Sequence, residues 1–189
     1  MYESLIARKT MKSIPLSNKS FQKIIQFYLF ESPVRTRSSI PKAEQDQNDP
    51  QAKYKYDFRR VSKRGVTFQD RNLDGSKLNT LRAAMIRVAK VKLIAVDTVE
   101  EVSATAKKQV GEYIVIWKNE KNVSVTEGYF YCIRNAFAHG DFDVDDKMYT
   151  FTNESGGKIK GLARLNERSL LSWIELANMD IEDIRRAGK

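Results

Sequence analysis

Cysteine and histidine are almost missing from this chain: its 189 residues hold one of each, Cys132 and His139. A single cysteine excludes an internal disulfide, and one of each excludes a metal site built from His and Cys ligands within one chain. The scarcity of cysteine fits a reducing compartment, and the cytoplasm is the expected location. Long apolar runs are also absent. Nothing approaches the ~20 residues that a membrane helix requires, and MYESLIARKTMKSI lacks the continuous apolar stretch of a secretory leader. The expectation is a soluble protein with no membrane partner and no cofactor.

What is present is an ordinary globular composition, 41% hydrophobic and 30% charged, in a chain long enough for one well-buried core. The formal charge of +9 is unevenly placed. Residues 51–92 contain twelve Lys/Arg against three acids, whereas residues 93–189 contain thirteen against sixteen. Clustered cations gain by displacing the counterions of a polyanion, which points to nucleic acid. The candidate RNA-binding residues are Lys53, Lys55, Arg59, Arg60, Lys63, Arg64, Arg71, Arg87 and Lys90. A solvated basic face that only confers solubility is the plainer alternative.

Local patterns predict mostly helices. SNKSFQKIIQFYLF places Phe21, Ile24, Ile25, Tyr28 and Leu29 on one face, with Ser17 or Asn18 as cap. Residues 41–53 read as a loop. Tyr54, Tyr56 and Phe58 alternate with Lys55 and Asp57, the period of a short strand or extended arm. Its rings can stack bases, or they can face a core. A long helical pattern runs from Asp74 or Ser76 to about Val96, with Leu78, Leu81, Met85 and Val88 as its stripe. Thr98 and Glu101 have capping-box spacing for a helix to about Lys108. EYIVIW at 112–117 has the β-branched content of a strand, although so short a run also fits a buried helix. A helix over about 124–138 is followed by two extended runs around NESGG, a β-hairpin, and then by a helix capped by Asn166.

The helix near 124–138 carries IRNAFAHGDF. Phe130, Ile133 and Phe137 form its apolar stripe, Asn135 and His139 lie four apart on one side, and Gly140 suits a left-handed terminus. Imidazole exchanges protons near neutral pH, and a guanidinium presents fixed donors to a phosphate gaining charge. Those groups suit cleavage of RNA by its own 2′-hydroxyl, which needs neither metal nor serine. The carboxylates of DFDVDD at 141–146 can attract magnesium, although such turns are more often solvated connections. Fourteen arginines make a bare Arg-x4-His spacing common by chance, and a histidine at a helix end is often structural.

Arg134-Asn135-Ala136-Phe137-Ala138-His139 resembles the R-N-x-x-x-H signature of the HEPN superfamily, which includes toxin, anti-phage and RNA-guided ribonucleases. The resemblance implies a mainly α, HEPN-like helical bundle, here with a small β-hairpin insertion. The chain length fits a single HEPN-like domain over 1–189, with a basic, partly irregular insertion at about 31–72 whose aromatic stretch at 51–71 belongs to no signature shared with that family. The resemblance further implies a homodimer in which two motifs line one cleft and leave a 2′,3′-cyclic phosphate. Arg134 would contact the scissile phosphate, His139 would act as acid or base, and Asn135 would orient His139 or the substrate. An antitoxin or regulatory protein is the further partner implied. Asp141 stands where some family toxins carry a tyrosine that a nucleotidyltransferase modifies. Two non-catalytic readings stand beside this one: a nucleic-acid-binding protein using the basic face, and an adaptor or inhibitor.

Overall fold

Asn18 opens the first helix, its side-chain oxygen accepting from the Ser20 and Phe21 amides at 3.0 and 3.1 Å. Helix α1 (Lys19–Ile25) then widens into a π-helical turn, Gln26–Phe30. The wider turn shifts the phase of the face, so that Phe27 joins Phe21, Ile24 and Tyr28 in the core. The computed structural model describes residues 18–40, 55–60, 66–118 and 124–188, with 35–40 and 55–60 followed as backbone. The expected loop at 41–53 lies outside those residues.

Strands β1 (Arg35–Ile40) and β2 (Lys55–Arg60) form a two-stranded antiparallel ribbon. Helix α2 (Ser76–Ala89) follows, then β3 (Lys92–Val96), α3 (Glu100–Lys107) and β4 (Tyr113–Trp117). Helix α4 (Val125–His139) leads into β5 (Phe142–Asp145), β6 (Met148–Ser155), β7 (Lys158–Asn166), α5 (Glu167–Asn178) and α6 (Ile181–Ala187). The last five strands make one sheet in the order β3-β4-β7-β6-β5. Only β3 and β4 are parallel, and α3 joins them.

This architecture corrects the expected helical bundle. The fold is α/β, and the hairpin read as an insertion supplies two of the three inner strands, β6 and β7, of a five-stranded mixed sheet. One face of the sheet, through Ile114, Ile116, Ala163, Leu165, Tyr149 and Phe151, shares a single core with residues of α1, α2, α4, α5 and α6. The other face meets α3, with Val102, Ala106 and Val115 at the centre of a smaller cluster. The helix expected to reach Val96 stops at Ala89, because Lys90 takes a left-handed conformation, φ 55°. Val88 is consequently exposed, and residues 92–96 become the edge strand β3.

Two glycines set how closely α4 lies on the sheet. A Cβ on Gly161 of β7 would come 2.5 Å from Cys132 Sγ, and one on Gly128 of α4 would come 2.7 Å from Ile116 Cδ1. The basic segment is rooted in the same core. Val34 is buried, and the Phe68 amide donates to the Pro33 carbonyl at 2.9 Å.

Candidate active site on the last turns of α4

Helix α4 is fixed at both ends. Ser124 and Glu127 form a full capping box, the Glu127 amide donating to Ser124 Oγ at 3.1 Å and the Ser124 amide to Glu127 Oε2 at 3.2 Å. Thr126 ties the first turn to α2 through a buried bond to the Leu78 carbonyl at 3.0 Å. At the far end Gly140 adopts φ 73°. Its amide donates to Phe137 O at 3.3 Å and the Asp141 amide to Ala136 O at 2.8 Å, the paired bonds of a Schellman terminus. Between the ends, Phe130, Ile133 and Phe137 face the core. Phe137 meets Phe142 and Phe151 edge-on at 4.8 and 5.0 Å.

A short polar chain lies at the margin of this packing. Arg134 Nη1 donates to Asn135 Oδ1 at 3.0 Å, and Asn135 Nδ2 donates to Asn153 Oδ1 at 3.2 Å. Asn153 sits on β6, on the face that also carries Tyr149 and Phe151, and is 6% exposed. The pairing of β6 with β7 is irregular between Asn153 and Glu154, and such bulges re-aim side chains. Arg134 Nε is buried with no partner. The guanidinium is thus held at one nitrogen and retains an unused donor.

His139 is exposed as the last residue of α4, and its imidazole forms no hydrogen bond among the described residues. A helix turns about 100° per residue, so Arg134 and His139 point about 140° apart around the axis. Asn135 and His139 are about 40° apart and share a side. One chain therefore presents its arginine and its histidine on different flanks. Asp141 is exposed just beyond the helix, Asp143 and Asp145 lie on β5, and Asp146 is in the turn that follows. Among the described residues, no three His, Cys, Asp or Glu side chains cluster as a metal ion would require.

Other reactive groups near the helix are closed off. Burial pushes the Cys132 thiol up to about 12, which leaves it no thiolate at neutral pH. Burial likewise raises the Tyr129 phenol to about 12, against the opposing influence of Arg82. Tyr149 rises to about 12 through burial and the nearby Glu167 carboxylate.

The candidate RNA-binding residues are scattered. Lys53, Lys63 and Arg64 lie outside the described residues, and Lys55, Arg59 and Arg60 belong to β2. Arg71 is engaged by the fold: its Nη1 donates to the Ala177 carbonyl of α5 at 2.9 Å. Arg87 and Lys90 are exposed at the end of α2. Among the described residues, none of these three is hydrogen-bonded to the Arg134–Asn153 chain. Asn153 escaped the sequence reading, although MYTFTN places an asparagine in phase with Tyr149 and Phe151, and a polar residue in an apolar register is a usable signal.

No family model matches the chain, and neither a curated protein nor a solved structure matches it significantly. Among the described residues, no helix is long and apolar enough to cross a membrane.

Proposed function

We propose that the chain is a metal-independent endoribonuclease, homodimeric, with its active site on the last turns of α4. The observation that carries this reading is an unpartnered, exposed His139 on the same rigid helix end as Arg134, whose buried Nε has no bond. The 2′-hydroxyl of the substrate would attack the adjacent phosphorus. One imidazole takes its proton, the bond from phosphorus to the 5′-oxygen breaks, and that oxygen leaves with a proton from a second imidazole. The products are a 2′,3′-cyclic phosphate and a 5′-hydroxyl. Arg134 would stabilise charge on the phosphate oxygens, and Asn135, braced by Asn153, would hold Arg134 in place. Because the two groups of one chain diverge, a second copy supplies the complementary pair, which motivates the homodimer.

The likeness to HEPN ribonucleases rests on the six residues 134–139 and not on the surrounding fold. A toxin or anti-phage role in the cytoplasm, restrained by an antitoxin or regulatory protein, follows from that likeness alone. The second reading is a non-catalytic RNA-binding protein. It is favoured by the position of His139, since a cation at a helix C-terminus suits the free carbonyls there.

The test is cleavage of a mixed RNA panel in EDTA by the wild type, His139→Ala and Arg134→Ala, with the 3′ ends characterised. Cyclic phosphates from the wild type and none from His139→Ala are expected. Equal cleavage by wild type and His139→Ala, or none by either with tight binding by both, refutes the nuclease reading.

A further inference from the structure

Helix α4 buries its large apolar side chains but leaves one tyrosine at the surface. Tyr129, Phe130, Ile133 and Phe137 are at most 6% exposed, whereas Tyr131 is only half-buried. Tyr131 packs against the main core from its rim. Among the described residues its hydroxyl forms no hydrogen bond, and its ring meets no other aromatic or charged group. At about 100° per residue, Tyr131 lies about 60° from Arg134 and about 80° from His139 around the axis. It therefore falls inside the sector that separates them. Ala138 is exposed in the same sector and carries only a methyl, while Asn135 is committed to Arg134 and Asn153. Along the axis Tyr131 precedes Arg134 by about 4.5 Å, and Cβ atoms three residues apart on a helix are about 5–6 Å apart.

We infer that Tyr131 is the base seat of the site: its ring stacks on the base of the nucleotide whose phosphate Arg134 holds, and so favours a purine there. The inference rests on the nuclease reading and names the part of the substrate that the site selects. Three observations carry it. The first is position, since a ring one helical turn from a phosphate-binding guanidinium can take the base of the same nucleotide. Both side chains rise from one rigid helix, so their spacing is fixed before the strand arrives. The second is the state of the ring. Tyr28, a structural tyrosine, is fully buried and its hydroxyl donates to the Leu170 carbonyl at 3.2 Å. Tyr131 is neither fully buried nor bonded. A ring braced by the core yet partly in water loses little freedom when a base covers it, and its hydroxyl stays wet at the rim. The third is the open space beside it, where the methyl of Ala138 leaves room for the strand between Arg134 and His139. Stacking accepts every base but strengthens with the larger face of a purine, and it requires a base free of its own stack. The substrate is accordingly single-stranded at the cut.

The experiment gives the full chain two 12-nucleotide RNAs in EDTA, one all uridine and one with a single central adenosine. The wild type should cut beside the adenosine about fivefold faster, or more, than within uridine. Tyr131→Leu keeps apolar bulk without the π face and should abolish that preference. Its KM for the adenosine strand should rise about fivefold or more, with kcat changed by less than about twofold. Tyr131→Phe keeps the ring and should retain the preference. Tyr113→Leu is the control: it alters a half-buried tyrosine of the α3-side cluster and should leave the preference in place. Matched thermal melts show that each variant is folded. A preference that survives Tyr131→Leu, or that is lost equally in Tyr131→Phe or Tyr113→Leu, overturns the inference. So does sedimentation in which Tyr131→Leu alone dissociates the protein, since the ring then serves a contact between copies. Fluorescence anisotropy with the chain carrying His139→Ala reads the seat without cleavage. No cleavage by the wild type, with tighter binding of the adenosine strand that Tyr131→Leu removes, discards the nuclease reading and keeps the seat. Cleavage with no preference for the adenosine does the reverse.

Discussion

Replacing Gly161 by alanine probes how α4 is seated on the sheet. The added Cβ falls 2.5 Å from Cys132 Sγ and 3.5 Å from both Cys132 Cβ and Ile116 Cγ2. Carbon and sulfur cannot approach so closely. Cys132 is fully buried on a helix pinned by caps at both ends, so neither partner can withdraw freely. Overpacking of a dense core costs about 1–3 kcal/mol, and the upper half of that range is expected here. For a chain of this length, 2–3 kcal/mol lowers Tm by about 4–12 °C. The companion variant Cys132→Ala leaves a small void, with a cost of about 1 kcal/mol. In the double variant the methyl of residue 161 occupies the space vacated by Sγ. Its stability should exceed the sum of the single effects by at least ~1 kcal/mol, a coupling typical of contacting residues. Urea titration followed by tryptophan fluorescence measures all four proteins, because Trp173 is buried against the same core. Strict additivity, or a Gly161→Ala variant as stable as the wild type, would falsify this account of the α4–sheet contact.

Further outcomes follow from the same structure. Asn153→Ala removes the acceptor of Asn135 and should lower stability by about 1–2 kcal/mol, read as a shift in the urea midpoint at constant slope. It should also lower kcat for RNA cleavage more than it raises KM, since Arg134 loses its brace. At alkaline pH, Cys132, Tyr28, Tyr129 and Tyr149 all have proton affinities raised by burial. Between the ordinary values near 9–10 and the folded values, about 12 for Cys132, Tyr129 and Tyr149 and raised well above the ordinary one for Tyr28, the unfolded chain binds fewer protons than the native one, so stability falls as pH rises. Below about pH 9 this contribution is complete. Tyrosinate absorbance should show three of the eight tyrosines ionising only with unfolding, and a thiol reagent should reach Cys132 only in denaturant.

Sequence reading succeeded where the determinants are local. The capping residues Asn18 and Asn166, the apolar stripe of α4 and the left-handed Gly140 are all set by neighbours within a few positions. The paired glycines 156 and 157, both with positive φ, mark the β6–β7 turn in the same way. Failure came where the signal is distant. Lys90 ends α2 without the glycine that usually advertises such a terminus, so Val91, Leu93 and Ile94 read as more helix. Nothing in EYIVIW states that its neighbours will be residues 92–96 on one side and 161–164 on the other. Those pairings turn a predicted appendage into the middle of a sheet. RTRSSI lacks any apolar alternation, and β1 becomes visible only through its partner. The site divides likewise: Arg134, Asn135 and His139 are legible on one helix, whereas Asn153 arrives from a strand eighteen residues beyond Asn135.

The fastening of α1 to α5 bears on how the protein is made. Tyr28 donates to the Leu170 carbonyl across 142 residues, and Trp173 to the Met85 carbonyl across 88, with both donors buried. Translation proceeds from the amino terminus at about 5–20 residues per second. The ribosome therefore completes the Arg134–His139 helix about 2–8 s before it finishes α5, and during that interval Tyr28 and Phe130 lack the helix that covers them. The core closes late, and a nascent chain carries its candidate catalytic residues without the scaffold that positions them.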